Sequence, residues 1–185
     1  MRSSVRVTML SCAFALAAAL PARAQAPGSI TSDLLSDIGQ VEQKLVSLAK
    51  TIPADKYGWR PGEGVRSVGE VVLHVAADNY LMPAALGFPA DPATGIKGDD
   101  YMTAAAFEKR TMDKDAAVAE LEKSFAHLKK SLSSTPTAKL GAPVKLFGQT
   151  FTTQRTWVMA TTHLHEHLGQ LIAYARTNGV KPPWS

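Results

Sequence analysis

The chain has 185 residues, of which 45% are hydrophobic, and it contains a single cysteine, which excludes a disulfide within one chain. The first 24 residues hold three of the 20 basic residues and none of the 16 acidic ones, so the remainder carries a net charge near +1. That balance excludes a basic surface for nucleic acid, and the length suits one domain with a single core.

Residues 1–24 have the features of a secretory signal peptide. A basic start precedes the apolar run 7–20, and the small residues Ala22 and Ala24 frame a cleavage site. We expect cleavage after Ala24, a periplasmic or secreted location, and no stable membrane association afterwards. Cys12 lies in this leader, so a metal site in the mature domain, residues 25–185, would use nitrogen and oxygen ligands.

The first helix is predicted from about Ser32 to Lys50. A cap is available at Thr31 or Ser32, and Pro53 follows the end. Apolar residues recur at helical spacing, namely Leu34, Leu35, Ile38, Val41, Leu45 and Leu48.

The second helix is predicted to begin after a loop rich in glycine and proline, residues 57–66. Ser67 and Glu70 have the spacing of a capping box, and the helix is expected to end near Gly87. Pro83 predicts a kink or an early stop in the last turn. The apolar positions are Val68, Val71, Val72, Val75 and Met82.

Two more helices follow, from Lys114 to Ser133 and from Thr153 to Thr177. The connection 88–103 and the segment 134–149 are irregular, although residues 145–151 could form a hairpin. Strand signals are otherwise nearly absent. Four amphipathic helices of about 20 residues predict an all-α protein with a four-helix bundle.

The most informative polar pattern is a histidine pair on the last helix. His163 and His167 lie four residues apart, so they share one helical face and can reach one metal ion. His74 lies on the second helix at the edge of the valine stripe. We therefore predict a metal site of His74, His163 and His167; the alternative is ordinary polar histidines at a helix flank.

Several neighbours of this pair are candidate catalytic helpers. Gln170 and Tyr174 fall on the same strip of the helix, and Glu166 could act as a base, although an exposed Glu166 is the simpler interpretation. The sequence His-Leu-His-Glu-His also matches an inverted zinc-protease signature, but no acidic residue follows it to supply a third ligand.

The remaining polar residues near the pattern are given structural interpretations. Asp78 could accept the other N–H of His74, but we expect it to be solvated. His165 should point away from its neighbours, and His127 should lie at or near the surface. The three tryptophans, Trp59, Trp157 and Trp184, are predicted to serve packing.

Three segments resemble the DinB-like superfamily, which also holds bacillithiol S-transferases and mycothiol-dependent enzymes. They are residues 59–74 (Trp-Arg-Pro-Gly-Glu-Gly-Val-Arg-Ser-Val-Gly-Glu-Val-Val-Leu-His), 163–170 (His-Leu-His-Glu-His-Leu-Gly-Gln) and 174–185 (Tyr-Ala-Arg-Thr-Asn-Gly-Val-Lys-Pro-Pro-Trp-Ser). The order and spacing of the segments, more than any one motif, make the resemblance specific.

The resemblance implies a four-helix bundle with up-down-down-up connections and a divalent metal, zinc or nickel, bound by His74, His163 and His167. It also implies a homodimer and chemistry such as thiol transfer on small electrophiles. The export signal departs from this pattern, because bacillithiol and mycothiol are cytosolic.

We therefore expect an exported DinB-like protein that binds a divalent metal through three histidines and acts as a metal-dependent hydrolase or transferase on a small molecule. Three histidines leave coordination positions open, which is typical of catalytic sites. The alternatives are a non-catalytic metal-binding or stress-related helical module, and a partner-binding helical domain whose histidines are incidental.

Overall fold

The computed structural model describes residues 28–185, so the predicted leader, its cleavage site after Ala24 and Cys12 lie outside the described residues. The described chain contains five α-helices and one short hairpin. These elements are α1 (Ile30–Thr51), α2 (Val68–Ala85), α3 (Met102–Glu108), α4 (Lys114–Ser133), β1 (Pro143–Leu146), β2 (Gln149–Thr152) and α5 (Thr153–Thr177). The four long helices form a bundle, which confirms the predicted fold class.

Local capping explains where the long helices begin. Ser67 accepts a hydrogen bond from the Glu70 amide while the Glu70 carboxylate accepts one from the Ser67 amide, which completes the predicted capping box. The side-chain oxygens of Asp113 and Thr152 each accept a hydrogen bond from an amide in the first turn, which caps α4 and α5. Pro83 is accommodated within the last turn of α2.

Ion pairs between α1 and α4 establish that these two helices run in opposite directions. Glu42 in α1 pairs with Lys129, towards the end of α4. Lys50, at the end of α1, pairs with Glu122, which lies earlier on α4. The Lys114 ammonium also donates to the carbonyl of Lys50, which joins the beginning of α4 to the end of α1.

The directions of the other helices follow from one end of the bundle. Leu86 after α2, Thr135 after α4 and Thr153 at the start of α5 line one cavity, so α2 and α4 are parallel and α5 is antiparallel to both. Since α1 opposes α4, the chain runs up-down-down-up. In this arrangement α2 and α5 are antiparallel neighbours in direct contact.

The core fills the space between the four helices. Its largest fully buried side chains are Trp157, Phe107, Phe125, Ile38, Leu45, Leu48, Ile52, Leu81, Leu121, Leu128, Leu132 and Leu164. Trp157 confirms its predicted packing role, and Trp59 packs edge-to-face on Tyr174 at 5.3 Å between ring centroids. Trp184 is 41% exposed, so its predicted packing role is wrong.

The connection between α2 and α4 contains more structure than its sequence indicates. Helix α3 buries Ala104 and Phe107 against α2, and the Asp100 carboxylate accepts a hydrogen bond from its first amide, that of Met102. The connection is fixed against the end of α2 at Gly98, where an added Cβ would lie 2.3 Å from the carbonyl carbon of Ala84. Only glycine fits there, so the start of α3 has a defined position.

The predicted hairpin is present at the start of α5. Its strands pair antiparallel, and Phe147 and Gly148 at the turn both have positive φ, which is typical of a type I′ turn. Within residues 28–185, no helix combines the length and the apolar character needed to span a bilayer.

Removal of a core ring tests the packing of the bundle. Phe125 on α4 is fully buried, so Phe125→Ala should lower the free energy of unfolding by about 3–5 kcal/mol in chemical denaturation. The exposed Lys123→Ala on the same helix should change it by less than about 0.5 kcal/mol. Equal effects of the two substitutions would contradict this packing.

Candidate metal centre

Three imidazoles meet between α2 and α5. The Nε2 atom of His163 lies 3.1 Å from Nε2 of His74 and 2.9 Å from Nε2 of His167. His167 is buried, and His74 and His163 are about 15% exposed. All three ligand nitrogens lie within 4.8 Å of one another, which is the geometry needed to hold one ion. The structure therefore brings the three predicted histidines together.

A carboxylate from α3 fixes the ring of His74. Oε2 of Glu108 lies 2.9 Å from Nδ1 of His74, and since a carboxylate only accepts, Nδ1 is the donor. Arg66 donates to Glu108 through Nε at 3.2 Å and through Nη2 at 3.4 Å, a bidentate contact that fixes the carboxylate. Neutral His74 therefore carries its proton on Nδ1 and presents the Nε2 lone pair to the cluster.

The ring of His167 is fixed in the same way from its own helix. Its Nδ1 donates to Oε1 of Gln170 at 2.7 Å, and the Gln170 amide nitrogen donates to the Tyr174 hydroxyl at 3.0 Å. Neutral His167 also presents the lone pair of Nε2. Gln170 contacts the side of the ring away from the cluster, and Tyr174 reaches it only through Gln170, so both residues occupy orienting positions.

These hydrogen bonds leave too few protons at the centre of the cluster. Nε2 of His163 faces the lone pairs of His74 and His167, and it also lies 3.1 Å from Oδ2 of Asp78. When Asp78 is ionised, one proton on His163 can satisfy only one of these three acceptors. Two buried acceptors then lack a donor, which is costly unless a cation lies among them. The donor set fits a divalent metal.

Asp78 is not where the sequence suggested. It is only 9% exposed, so the expectation of a solvated carboxylate is wrong, because α2 is buried on nearly every side. It also does not accept the second N–H of His74, because Glu108 occupies that position. Its Oδ2 lies instead on the Nε2 side, 3.8 Å from His74 and 3.1 Å from His163.

Burial controls the protonation of these groups. Desolvation, aided by the neighbouring imidazoles and Arg66, lowers the pKa of His74 and of His163 to about 3. The pKa of His167 is lowered as well, mainly by burial. Burial and the nearby Glu108 raise the pKa of Asp78 to about 7. The histidines are thus neutral at pH 7, which is the form that binds metals.

The remaining candidates lie outside the cluster. Glu166 is exposed on α5 and influences His167 only through its charge, so its catalytic role stays a prediction. His165 is exposed and contacts Asp37 on α1 at 3.0 Å, as expected from its position on the helix. His127 is partly buried on α4 beside Tyr80, away from the three histidines.

Sequence reasoning did not find Glu108. It belongs to a helix of only seven residues, and its separation from His74 is 34 residues, so no local pattern connects the two. The useful signal was indirect: Arg66 precedes the capping residue of α2, and an arginine at that position needs an acidic partner once it is partly buried.

The cavities described in residues 28–185 lie at the hairpin, beside Tyr80, at both ends of α2 and between α1 and α4, and none of them is lined by the three histidines. His74 and His163 are each about 15% exposed, and this exposure connects the site with solvent.

The free energy of unfolding of the metal-free protein should depend on pH through the buried Asp78 carboxylate. The pKa of this group is raised to about 7, above an unfolded value near 3.9, so its contribution to stability is present at low pH and is lost as the pH rises towards 7. Asp78→Asn removes this titration. The difference in unfolding free energy, variant minus wild type, should grow by up to about 1.4 kcal/mol per pH unit between about pH 4 and pH 7.

Chemical denaturation at a series of pH values measures this difference. Asp37→Asn, which removes an exposed carboxylate beside a histidine on the same bundle, is the matched control. A difference for Asp78→Asn that does not change between about pH 4 and pH 7 would contradict the buried position of this carboxylate.

Comparison with known proteins gives a consistent result. A DinB-like protein from Bacillus cereus has a similar structure, with a TM-score of 0.67 and 14% identity over 82% of this chain and 95% of that one. YfiT from Bacillus subtilis, described as a probable metal-dependent hydrolase with an unusual four-helix bundle topology, gives 0.63 and 14% over 85% and 93%.

The mycothiol-dependent maleylpyruvate isomerase is a third similar structure, with a TM-score of 0.61 and 16% identity over 76% of this chain and 60% of that one. No curated protein matches the sequence. The family model of the DinB superfamily matches residues 38–171, which include the three histidines, Asp78 and Glu108. With the bundle, its topology and this match, the chain belongs to the DinB superfamily.

Proposed function

We propose that the protein binds one divalent ion, zinc or nickel, through His74, His163 and His167 and uses it in hydrolysis of, or transfer to, a small molecule. The observation that carries this proposal is the convergence of three Nε2 atoms, two of them fixed as lone-pair donors by hydrogen bonds at Nδ1. The description of YfiT as a probable metal-dependent hydrolase supports the reaction class.

The chain's own residues have separable roles in this proposal. His74, His163 and His167 hold the ion, while Glu108 and Gln170 orient two of the rings. A bound divalent ion supplies Lewis acidity and lowers the pKa of a bound water. Export to the periplasm or medium and formation of a homodimer belong to the same proposal as the predictions made from the leader and the resemblance.

A second function is favoured by one specific observation. His167 is buried, and only about 15% of the His74 and His163 side chains is exposed. Such a site suits an ion that holds α2 against α5 rather than one that turns over substrate. In this case the protein is a non-catalytic metal-binding module.

Metal binding by substituted proteins tests the centre. His163→Ala and His74→Ala should each lower the affinity for Zn²⁺ or Ni²⁺ by more than about 100-fold, because loss of a ligand costs more than loss of an orienting partner. His165→Ala, an exposed histidine on the same helix, should bind like the wild type. Metal analysis and competition with a chromogenic chelator measure these effects.

The same proteins distinguish the two functions. Under both proposed functions, bound metal should raise the unfolding temperature of the wild type and of His165→Ala. Metal-dependent hydrolysis of chromogenic esters, amides or phosphoesters that disappears in His163→Ala supports the catalytic function. Bound metal that stabilises the wild type without turnover on this panel favours the module, and a wild type that binds neither ion contradicts both.

Substitution of the orienting carboxylate gives a graded effect. Glu108→Gln keeps the size of the side chain but weakens its acceptance from His74 Nδ1, so metal affinity should fall by about 10–100-fold without loss of the stoichiometry. Glu63→Gln, in the exposed loop before α2, is the control. An unchanged affinity in Glu108→Gln would show that α3 does not support the centre.

A further inference from the structure

Asp78 occupies a position from which it can reach the same ion as the histidines. It lies one helical turn after His74 on α2, so both side chains project from one face towards α5. Its Oδ2 atom is 3.1 Å from Nε2 of His163 and 3.8 Å from Nε2 of His74. Two ligands bound to one zinc ion at tetrahedral angles lie about 3.3 Å apart, so these two separations are close to those of ligands that share an ion. The atoms that already lie within 4.8 Å of one another are those of the three histidines, so coordination by Asp78 requires its side chain to move towards His167.

The charge of Asp78 has no other evident partner in the described part of the chain. Its close contacts with basic groups are with His74 and His163, at 3.8 Å and 3.1 Å. Arg66, a nearby guanidinium, uses its Nε and Nη2 donors on Glu108. A buried carboxylate is stabilised by taking up a proton, by pairing with a cation or by coordinating a metal.

The two carboxylates near His74 lie on opposite sides of its ring. Glu108 contacts Nδ1, where it can only orient the ring, and Asp78 lies on the Nε2 side, where the lone pairs converge. We infer that Asp78 is a fourth protein ligand, so that the centre has three imidazole nitrogens and one carboxylate oxygen. This inference rests on the proposed function, because it requires the ion held by the three histidines.

With a carboxylate as fourth ligand, the preferred coordination number of the metal determines whether a position stays open for a substrate. Zinc in structural sites is four-coordinate, so three histidines and Asp78 would complete its shell and leave no position for a substrate. An ion that takes five or six ligands, such as nickel, would keep one or two positions open in the same site. The anionic ligand also reduces the net charge of the centre and favours divalent ions over Cu(I).

Cobalt titration tests the inference, because the visible spectrum of Co²⁺ reports the number and kind of its ligands. Wild type, Asp78→Asn and the control Asp37→Asn are titrated with Co²⁺ alone, and affinities are measured by chelator competition. We expect Asp78→Asn to bind at least about tenfold more weakly, with an altered spectrum, and Asp37→Asn to match the wild type. Unfolding of metal-free Asp78→Asn at or above the wild-type midpoint shows that the loss is not misfolding.

A second measurement on the wild type detects the coordinating carboxylate directly. Infrared difference spectra, Co²⁺-loaded minus metal-free, are recorded with and without ¹³C-labelled aspartate side chains. A label-sensitive carboxylate band that shifts on loading supports coordination by an aspartate, and its absence from Asp78→Asn assigns it. No such band in the wild type overturns the inference.

The remaining outcomes separate this inference from the function on which it rests. Asp78→Asn with the affinity and spectrum of the wild type overturns the fourth ligand and leaves the three-histidine centre intact. A wild type that does not bind Co²⁺, Zn²⁺ or Ni²⁺ overturns both.

Discussion

The shortage of protons among three facing imidazoles is the constraint on which the centre depends. Nε2 of His163 is within 3.1 Å of two other Nε2 atoms, and the hydrogen bonds at Nδ1 of His74 and His167 have already placed the protons elsewhere. Neutral rings in this arrangement oppose lone pairs to lone pairs. The rings are held in this arrangement because α2 and α5 pack into the bundle core through fully buried side chains.

The antiparallel contact of α2 with α5 makes this arrangement possible. The packing of α2 on α5 places His74 opposite the pair His163 and His167. Helix α3 then covers α2 from outside and brings Glu108 to the ring of His74. The residues that hold the centre in place therefore come from three helices, although the three histidines come from two.

The sequence was sufficient for most of the fold. The four long helices were predicted because each has an apolar face at helical spacing and a capping or stop signal, and the bounds of α4 and α5 were correct. Helix α3 was missed because seven residues are too few to give a periodic pattern. Spacing on one helix paired His163 with His167, whereas the place of His74 became certain only from the contact between α2 and α5.

The carboxylates were the part of the centre that local reasoning could not place. Asp78 shares a face with His74, but whether that face meets solvent or α5 depends on packing, and α2 proves to be buried on nearly all sides. Glu108 is connected to His74 only through tertiary structure. Both cases show that helical periodicity identifies ligands on one helix better than it identifies the groups that complete a site between helices.

The separation of 89 residues between His74 and His163 has a consequence for how the centre assembles. An unfolded chain offers a metal only the local pair on α5, since bringing His74 to it would close a long loop at an entropic cost. The full ligand set forms only when α2 docks on α5, so an ion bound by all three rings would stabilise this long-range contact rather than direct the first steps of folding.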